Sequence, residues 1–224
     1  MKTKLFSLIM LLAVTASTSF AQEPVKGKTS FGILGGVNLQ NLNGKLSSGD
    51  DLENDMLTGF HAGVNAMIPL APEFYFQPGL MFAVKGAKST YTLLGTDYTS
   101  KTKINYIEMP LNMVYKAALG SGSFMLGFGP YVAYGIGGKV VSEGGSTTLE
   151  SDIEFKNEAG LLEGPVYKAF DAGANIFAGY EMASGIFLQL DTQFGMMNIN
   201  PDRGTNDKST SKNTGFGLSA GYRF

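Results

Sequence analysis

From Asn213 to Phe224 the chain reads N-T-G-F-G-L-S-A-G-Y-R-F. Phe216, Leu218, Ala220, Tyr222 and Phe224 share one parity, and Gly215, Gly217, Ser219, Gly221 and Arg223 share the other. Successive side chains in a strand point to opposite faces, so this segment has one apolar face and one small or polar face. A helix would scatter both sets around its axis. The sequence given stops on the aromatic Phe224. A strand with so regular an apolar face suits a sheet with lipid on one side.

The same period of two recurs along the chain. Strands are expected at 29–40, 56–68, 74–88, 104–116, 124–139, 168–182, 186–197 and 213–224, each alternating apolar residues with Gly and polar ones. In 56–68, for example, Phe60, Ala62, Val64, Ala66 and Ile68 oppose Gly59, His61, Gly63, Asn65 and Met67. Pro78 interrupts the third segment and is expected to mark a bulge or bend, because proline cannot donate to a ladder. The connections 41–55, 89–103, 140–167 and 198–212 are long and polar, with Val140-Val141 and Ile153-Glu154-Phe155 in the third able to extend the flanking strands above the membrane, while 69–73, 117–123 and 183–185 are short. Long and short alternate strictly.

Eight strands with that asymmetry predict an all-β, antiparallel, up-and-down transmembrane β-barrel with short periplasmic turns and long extracellular loops. The sheet must close, because an edge left in hydrocarbon would carry unpaired backbone groups costing several kcal/mol each. A soluble eight-stranded barrel would instead turn the apolar parity inward. Two other features favour the membrane form. Lys2 and Lys4 precede the apolar run 5–14, and Ser19-Phe20-Ala21 follows, as expected of a secretory signal peptide cut near Ala21. The organisation is then signal peptide 1–21, periplasmic lead 22–28 and barrel domain 29–224, located in the outer membrane of a diderm bacterium. The absence of cysteine excludes disulfides, thiolate metal sites and an acylated-cysteine anchor. Without Lys2 and Lys4, the 17 basic side chains fall to 15 against 19 acidic ones. That balance excludes a nucleic-acid partner, which requires a basic surface.

Several stretches resemble the PorT-like family of small outer-membrane β-barrels, often called porin-family proteins. They are Gly59-Phe60-His61-Ala62-Gly63, Gln77-Pro78-Gly79-Leu80 with Lys85-Gly86, Tyr106-Ile107-Glu108-Met109-Pro110-Leu111, Gly129-Pro130-Tyr131 and Phe170-Asp171-Ala172-Gly173. The resemblance implies a barrel, and in one member type a role in secretion across the outer membrane. The last strand also resembles the carboxy-terminal signal of such barrels. This implies that Phe216, Leu218, Tyr222 and Phe224 are read by the barrel-assembly machinery.

An eight-stranded barrel is just wide enough for its own side chains to fill, so a wide pore is not expected. Inward parity carries a polar set of His61, Lys85, Glu108, Asp171, Glu181, Asp191 and Arg223. Charges in so narrow a lumen need partners. They are expected to form a structural network, with Arg223 and Glu181 as an ion pair near the periplasmic end. Catalysis would need His61 to meet Glu108, Asp171 or Asp191 as a base and its orienter. Asp50, Asp51, Glu53 and Asp55 lack the spacing of a calcium loop, and Gly135-Ile136-Gly137-Gly138-Lys139 lacks the hydroxyl and helix of a phosphate loop. Tyr115, Tyr134, Tyr180 and Tyr222 are candidates for aromatic girdles.

The expected function is non-enzymatic and needs no cofactor: a barrel acting through its loops as a structural, interaction or secretion-accessory protein. Its expected partners are outer-membrane lipids, the assembly machinery and secretion or envelope proteins. A narrow channel or solute binder using the polar lumen is the alternative, followed by a membrane-embedded hydrolase or acyltransferase using His61.

Overall fold

The alternating segments become hydrogen-bonded strands in the computed structural model, which describes residues 27–224 except 94, 146, 161–162 and 205–206. The expected signal peptide and most of the expected lead lie outside the described residues. The strands are β1 (Ser30–Lys45), β2 (Leu57–Ala71), β3 (Phe74–Leu93), β4 (Thr96–Leu119), β5 (Gly122–Gly144), β6 (Thr147–Asp152), β7 (Glu154–Phe155), β8 (Val166–Tyr167), β9 (Phe170–Glu181), β10 (Ile186–Gly195) and β11 (Thr210–Arg223). Neighbours pair antiparallel from β1 through β5, then β9, β10 and β11, and β11 pairs back onto β1. Gly32 faces Arg223 and Lys45 faces Thr210 across that seam. The ring is closed by eight strands.

The apolar parity faces out. Phe31, Val37, Phe128, Leu190 and Leu218 are 50–64% exposed on the barrel wall, which excludes the soluble arrangement that would bury them. At one end Phe74 packs on Tyr115, Tyr180 donates to Leu119 O, and Tyr222 meets Phe224 edge-on. At the other, Tyr134 stands opposite Phe170. Amphipathic aromatic side chains in these two bands suit the boundaries between hydrocarbon and headgroups.

Several expected boundaries are wrong in the same direction. Residues 41–45, 89–93, 96–103 and 142–144 were expected in loops and are strand, and Val140-Val141 do extend β5. The connection at 89–103 is a hairpin whose strands meet at Leu93 and Thr96, not a long loop. Once both faces of a strand are wet, apolar alternation disappears, although Thr, Tyr and Val still favour the extended backbone. β4 has 24 residues, whereas about 9–11 suffice to cross hydrocarbon. β3, β4 and β5 therefore rise past the barrel rim as a sheet, and β6 adds to its edge.

Pro78 causes no register shift: Gln77 faces Asn112, Pro78 faces Leu111, and Met81 still faces Glu108. The shifts fall instead between Pro69 and Ala71 and between Asn105 and Tyr106. The ladder to β4 absorbs the proline, while partnered positions on the β2 side jump from Asn65–Gly79 to Ile68–Phe76.

Candidate functional site

Inward side chains fill the lumen in layers that follow the strands. At the end with the short turns, the Arg223 Nε donates to Glu181 Oε2 at 2.8 Å, and Lys116 Nζ donates to Glu181 Oε1 at 2.7 Å. Arg223 Nη1 also donates to Asn65 Oδ1 at 3.0 Å. The expected ion pair between β11 and β9 is present. Lys116 extends it, being inward on β4 by parity alone.

Above this cluster lies an apolar layer of Leu34, Met67, Val114, Met125, Phe177 and Phe187. The Arg223 guanidinium packs against the face of the Phe187 ring, with Cζ 5.2 Å from the ring centre. Next comes a polar chamber of about 50 Å3. His61 Nε2 and Ser219 Oγ are 2.7 Å apart on its wall, and Asn175 Nδ2 donates to Asn112 Oδ1 at 2.6 Å. Asp191 lines the same chamber.

The chamber is roofed by the deepest charges in the protein. Lys85, on β3, is fully buried, with Nζ 2.6 Å from Glu108 Oε2 on β4 and 3.8 Å from Asp171 Oδ2 on β9. Its ammonium sits over the ring of Tyr131 at 4.2 Å. Tyr131 Oη and Asn213 Nδ2 donate to Asp171 Oδ2 at 3.2 and 2.9 Å, and Gln193 Nε2 donates to Glu108 Oε1 at 2.6 Å. Lys85 thus ties opposite walls of the barrel together. Isolated charges this deep would be very costly, and the shared carboxylates with their donors are what make burial tolerable.

The mouth is shut by residues from the long connections. Ile153 and Ile199 pack with Leu42, Ala87, Ile104, Tyr106, Tyr131 and Ala133, flanked by Val140, Phe155 and Tyr167. The parallel bridge between β7 and β8 aligns Phe155 with Tyr167. A Cβ at Gly135 would lie 2.5 Å from the Phe155 ring. That glycine admits the cap, and the run 135–139 has this packing role rather than a phosphate-loop geometry.

Of the seven polar residues picked from sequence, Lys85, Glu108 and Asp171 form the upper cluster and Glu181 with Arg223 the lower one. His61 and Asp191 line the chamber between them. His61 turns to Ser219 rather than to Glu108, Asp171 or Asp191, so the base–orienter pair that catalysis would need is not formed. Together His61 and Ser219 resemble a nucleophile with its base. They sit, however, between two apolar layers, and among the described residues no carboxylate hydrogen-bonds the imidazole. Ser219, Asn213, Gln193 and Lys116 were missed. Parity marked all four as inward, but their types gave no reason to single them out. In the first long connection Asp55 approaches Lys88 at 3.7 Å and Asp50 accepts from Ser48. Among the described residues no group of three or more His, Cys, Asp or Glu is placed to hold a metal.

The assembly-signal residues Phe216, Leu218, Tyr222 and Phe224 all point outward, at 42–70% exposure. The Phe224 amide donates to Phe31 O, carrying the β1–β11 seam to the last residue.

Among curated proteins none matches the chain in sequence. Solved structures with similar folds include Ail, the attachment invasion locus protein of Yersinia pestis, at 11% identity and a TM-score of 0.40, covering 88% of this chain and 100% of that one. The same protein in complex with the heparin analogue sucrose octasulfate matches at 12% identity, with a TM-score of 0.40 and the same coverage. Neisserial surface protein A matches at 15% identity with a TM-score of 0.39, covering 88% of this chain and 98% of that one. Residues 20–200 match the family model described as outer membrane protein beta-barrel domain. Most of the chain lies within that match, and it belongs to the family of outer membrane proteins built on this β-barrel domain.

Proposed function

We propose that this outer-membrane barrel is a rigid support for an extracellular protein-binding sheet, with a structural, interaction or secretion-accessory role in the PorT-like manner. The observation that carries the reading is the length of β3, β4 and β5, which have 20, 24 and 23 residues. Strands about twice as long as a crossing requires continue their pairing outside the membrane, where β6 joins them. The filled lumen supports the same reading over a diffusive channel, because the fully buried side chains around Phe187 and Ile104 form two apolar layers within it. The hydrogen bond of His61 to Ser219, with no carboxylate among the described residues hydrogen-bonded to the imidazole, supports a non-enzymatic role. We further propose that residues 1–21 are removed near Ala21 and that the barrel-assembly machinery reads the aromatic end of β11.

The test is cross-linking in native membranes followed by identification of attached proteins, for the natural chain and for a variant with residues 89–100 replaced by a two-residue turn. The expected result is a defined envelope or secretion protein bound by the first and lost by the second, while both barrels stay folded. An identical cross-linking profile for the two chains would overturn the reading.

A further inference from the structure

Where β4 and β5 leave the lipid-facing wall, they set two lysines directly opposite one another. Lys103 faces Lys139 across the ladder, and two residues along β4 Lys101 faces Lys88 of β3. All four share the outward parity, because the neighbouring pair Ile104 and Gly138 turns inward to meet Ile153. Like charges directly opposite on adjacent strands destabilise a sheet. Two such pairs on one face therefore require a countercharge.

The protein supplies only part of it. Lys88 lies 3.7 Å from Asp55, Lys101 2.9 Å from Glu143 and Lys139 3.4 Å from Glu150. The last pair is more than half exposed on both sides, where an ion pair contributes little. Asp152 stands opposite Lys139 on β6 without closing on it. Lys103 is exposed and forms no ion pair among the described residues. The two rows nearest the wall, Gly86–Lys103–Lys139–Asp152 and Lys88–Lys101–Val141–Glu150, thus hold four lysines against two carboxylates. Below them Ile107, Tyr134 and Ile136 are 38–61% exposed to lipid. From Ile107 to Lys103 is about 13 Å of strand at ~3.3 Å per residue, which places the lysine among headgroups when Tyr134 marks the boundary. The end with the short turns is built differently. Phe74, Tyr115, Phe124 and Tyr222 face out there, and the strand cations Lys116 and Arg223 turn inward to Glu181.

We propose that Lys103 and Lys139, with Lys101 beside them, bind the phosphate of an anionic lipid in the leaflet around the long-strand end of the barrel. Its acyl chains lie along Ile107, Tyr134 and Ile136. Ammonium groups from two strands reach the oxygens of one phosphate, which supplies the countercharge that the Lys103–Lys139 pair lacks. Two observations commit the patch to a lipid. It is continuous with the apolar wall, and outward strand lysines stand at this end and not at the other. The inference is independent of the protein partner proposed above.

The test uses the full chain in a neutral detergent, mixed with phosphatidic acid and phosphatidylcholine of matched acyl chains, with retained lipid read by native mass spectrometry. Each lysine near a charged surface contributes about a fivefold gain in affinity, so the two should favour phosphatidic acid by roughly 25-fold. The double variant Lys103→Gln with Lys139→Gln is expected to lose that preference while keeping its heat-modifiable fold. Lys156→Gln with Lys208→Gln, an equal change of net charge in the connections, is expected to keep it. Equal retention of the two lipids by the natural chain overturns the proposal, as does a preference that survives the Lys103 and Lys139 changes. An equal loss in the Lys156 and Lys208 control also overturns it, by showing net charge alone at work. Displacement of phosphatidic acid by an equal concentration of inorganic phosphate or dextran sulfate does the same, by showing a bare anion site.

Discussion

Lys85 is the residue on which most of the lumen depends. Replacing it by Met keeps the aliphatic volume but leaves Glu108 and Asp171 buried without a cation. Breaking a buried pair in this way costs about 3–5 kcal/mol, so Lys85→Met should lower unfolding free energy in detergent by that amount. Adding Glu108→Gln and Asp171→Asn to it should recover much of the loss, since the buried charge then disappears. A single variant as stable as the natural chain would show that the cluster is hydrated rather than sealed. The network's members were legible from parity plus charge. Their pairing was legible only for Arg223 and Glu181, which share a barrel end. Which carboxylate Lys85 would meet depended on strand stagger and side-chain reach, and the sequence pattern encodes neither. Ser219 shows the other limit: a small hydroxyl on a Gly-rich face reads as filler until a histidine two strands away turns toward it.

Among the elements, β11 was the most legible, because lipid on one side imposes a strict period on it. Its contribution can be tested by removing Phe224, whose amide extends the seam to Phe31 and whose ring packs on Tyr222. The truncated chain should show a reduced fraction of the heat-modifiable form in membranes, and normal assembly would reduce this end to ordinary wall. The outer parts of β3, β4 and β5 were illegible for the opposite reason. Solvent on both faces removes the period, and only β propensity remains. The cap at the mouth was hidden too, because Ile153 reaches Leu42 and Ile199 by contacts that no local pattern announces. Burying an isoleucine there should be worth about 2–5 kcal/mol against alanine. Ile153→Ala is therefore expected to destabilise the fold by that amount and to make the connection between β7 and β8 more sensitive to protease. Unchanged cleavage would show that the cap is held by Phe155 and Tyr167 without it.

At the scale of the molecule, fold class followed from one repeated pattern and the alternation of long and short connections. Those features are dictated by hydrocarbon outside the wall and by backbone groups that must pair inside it. The proposed function was less legible because it rests on features that lie where those constraints end, in a sheet that leaves the membrane and in a lumen closed by distant contacts. The central assertion is that this barrel is a filled support and not a conduit. Single-channel recording of the purified full chain in planar bilayers addresses it most directly. The layers of Phe187 and Ile104 require a silent bilayer after verified insertion, whereas reproducible current steps of uniform size would show a continuous path through the lumen and refute it.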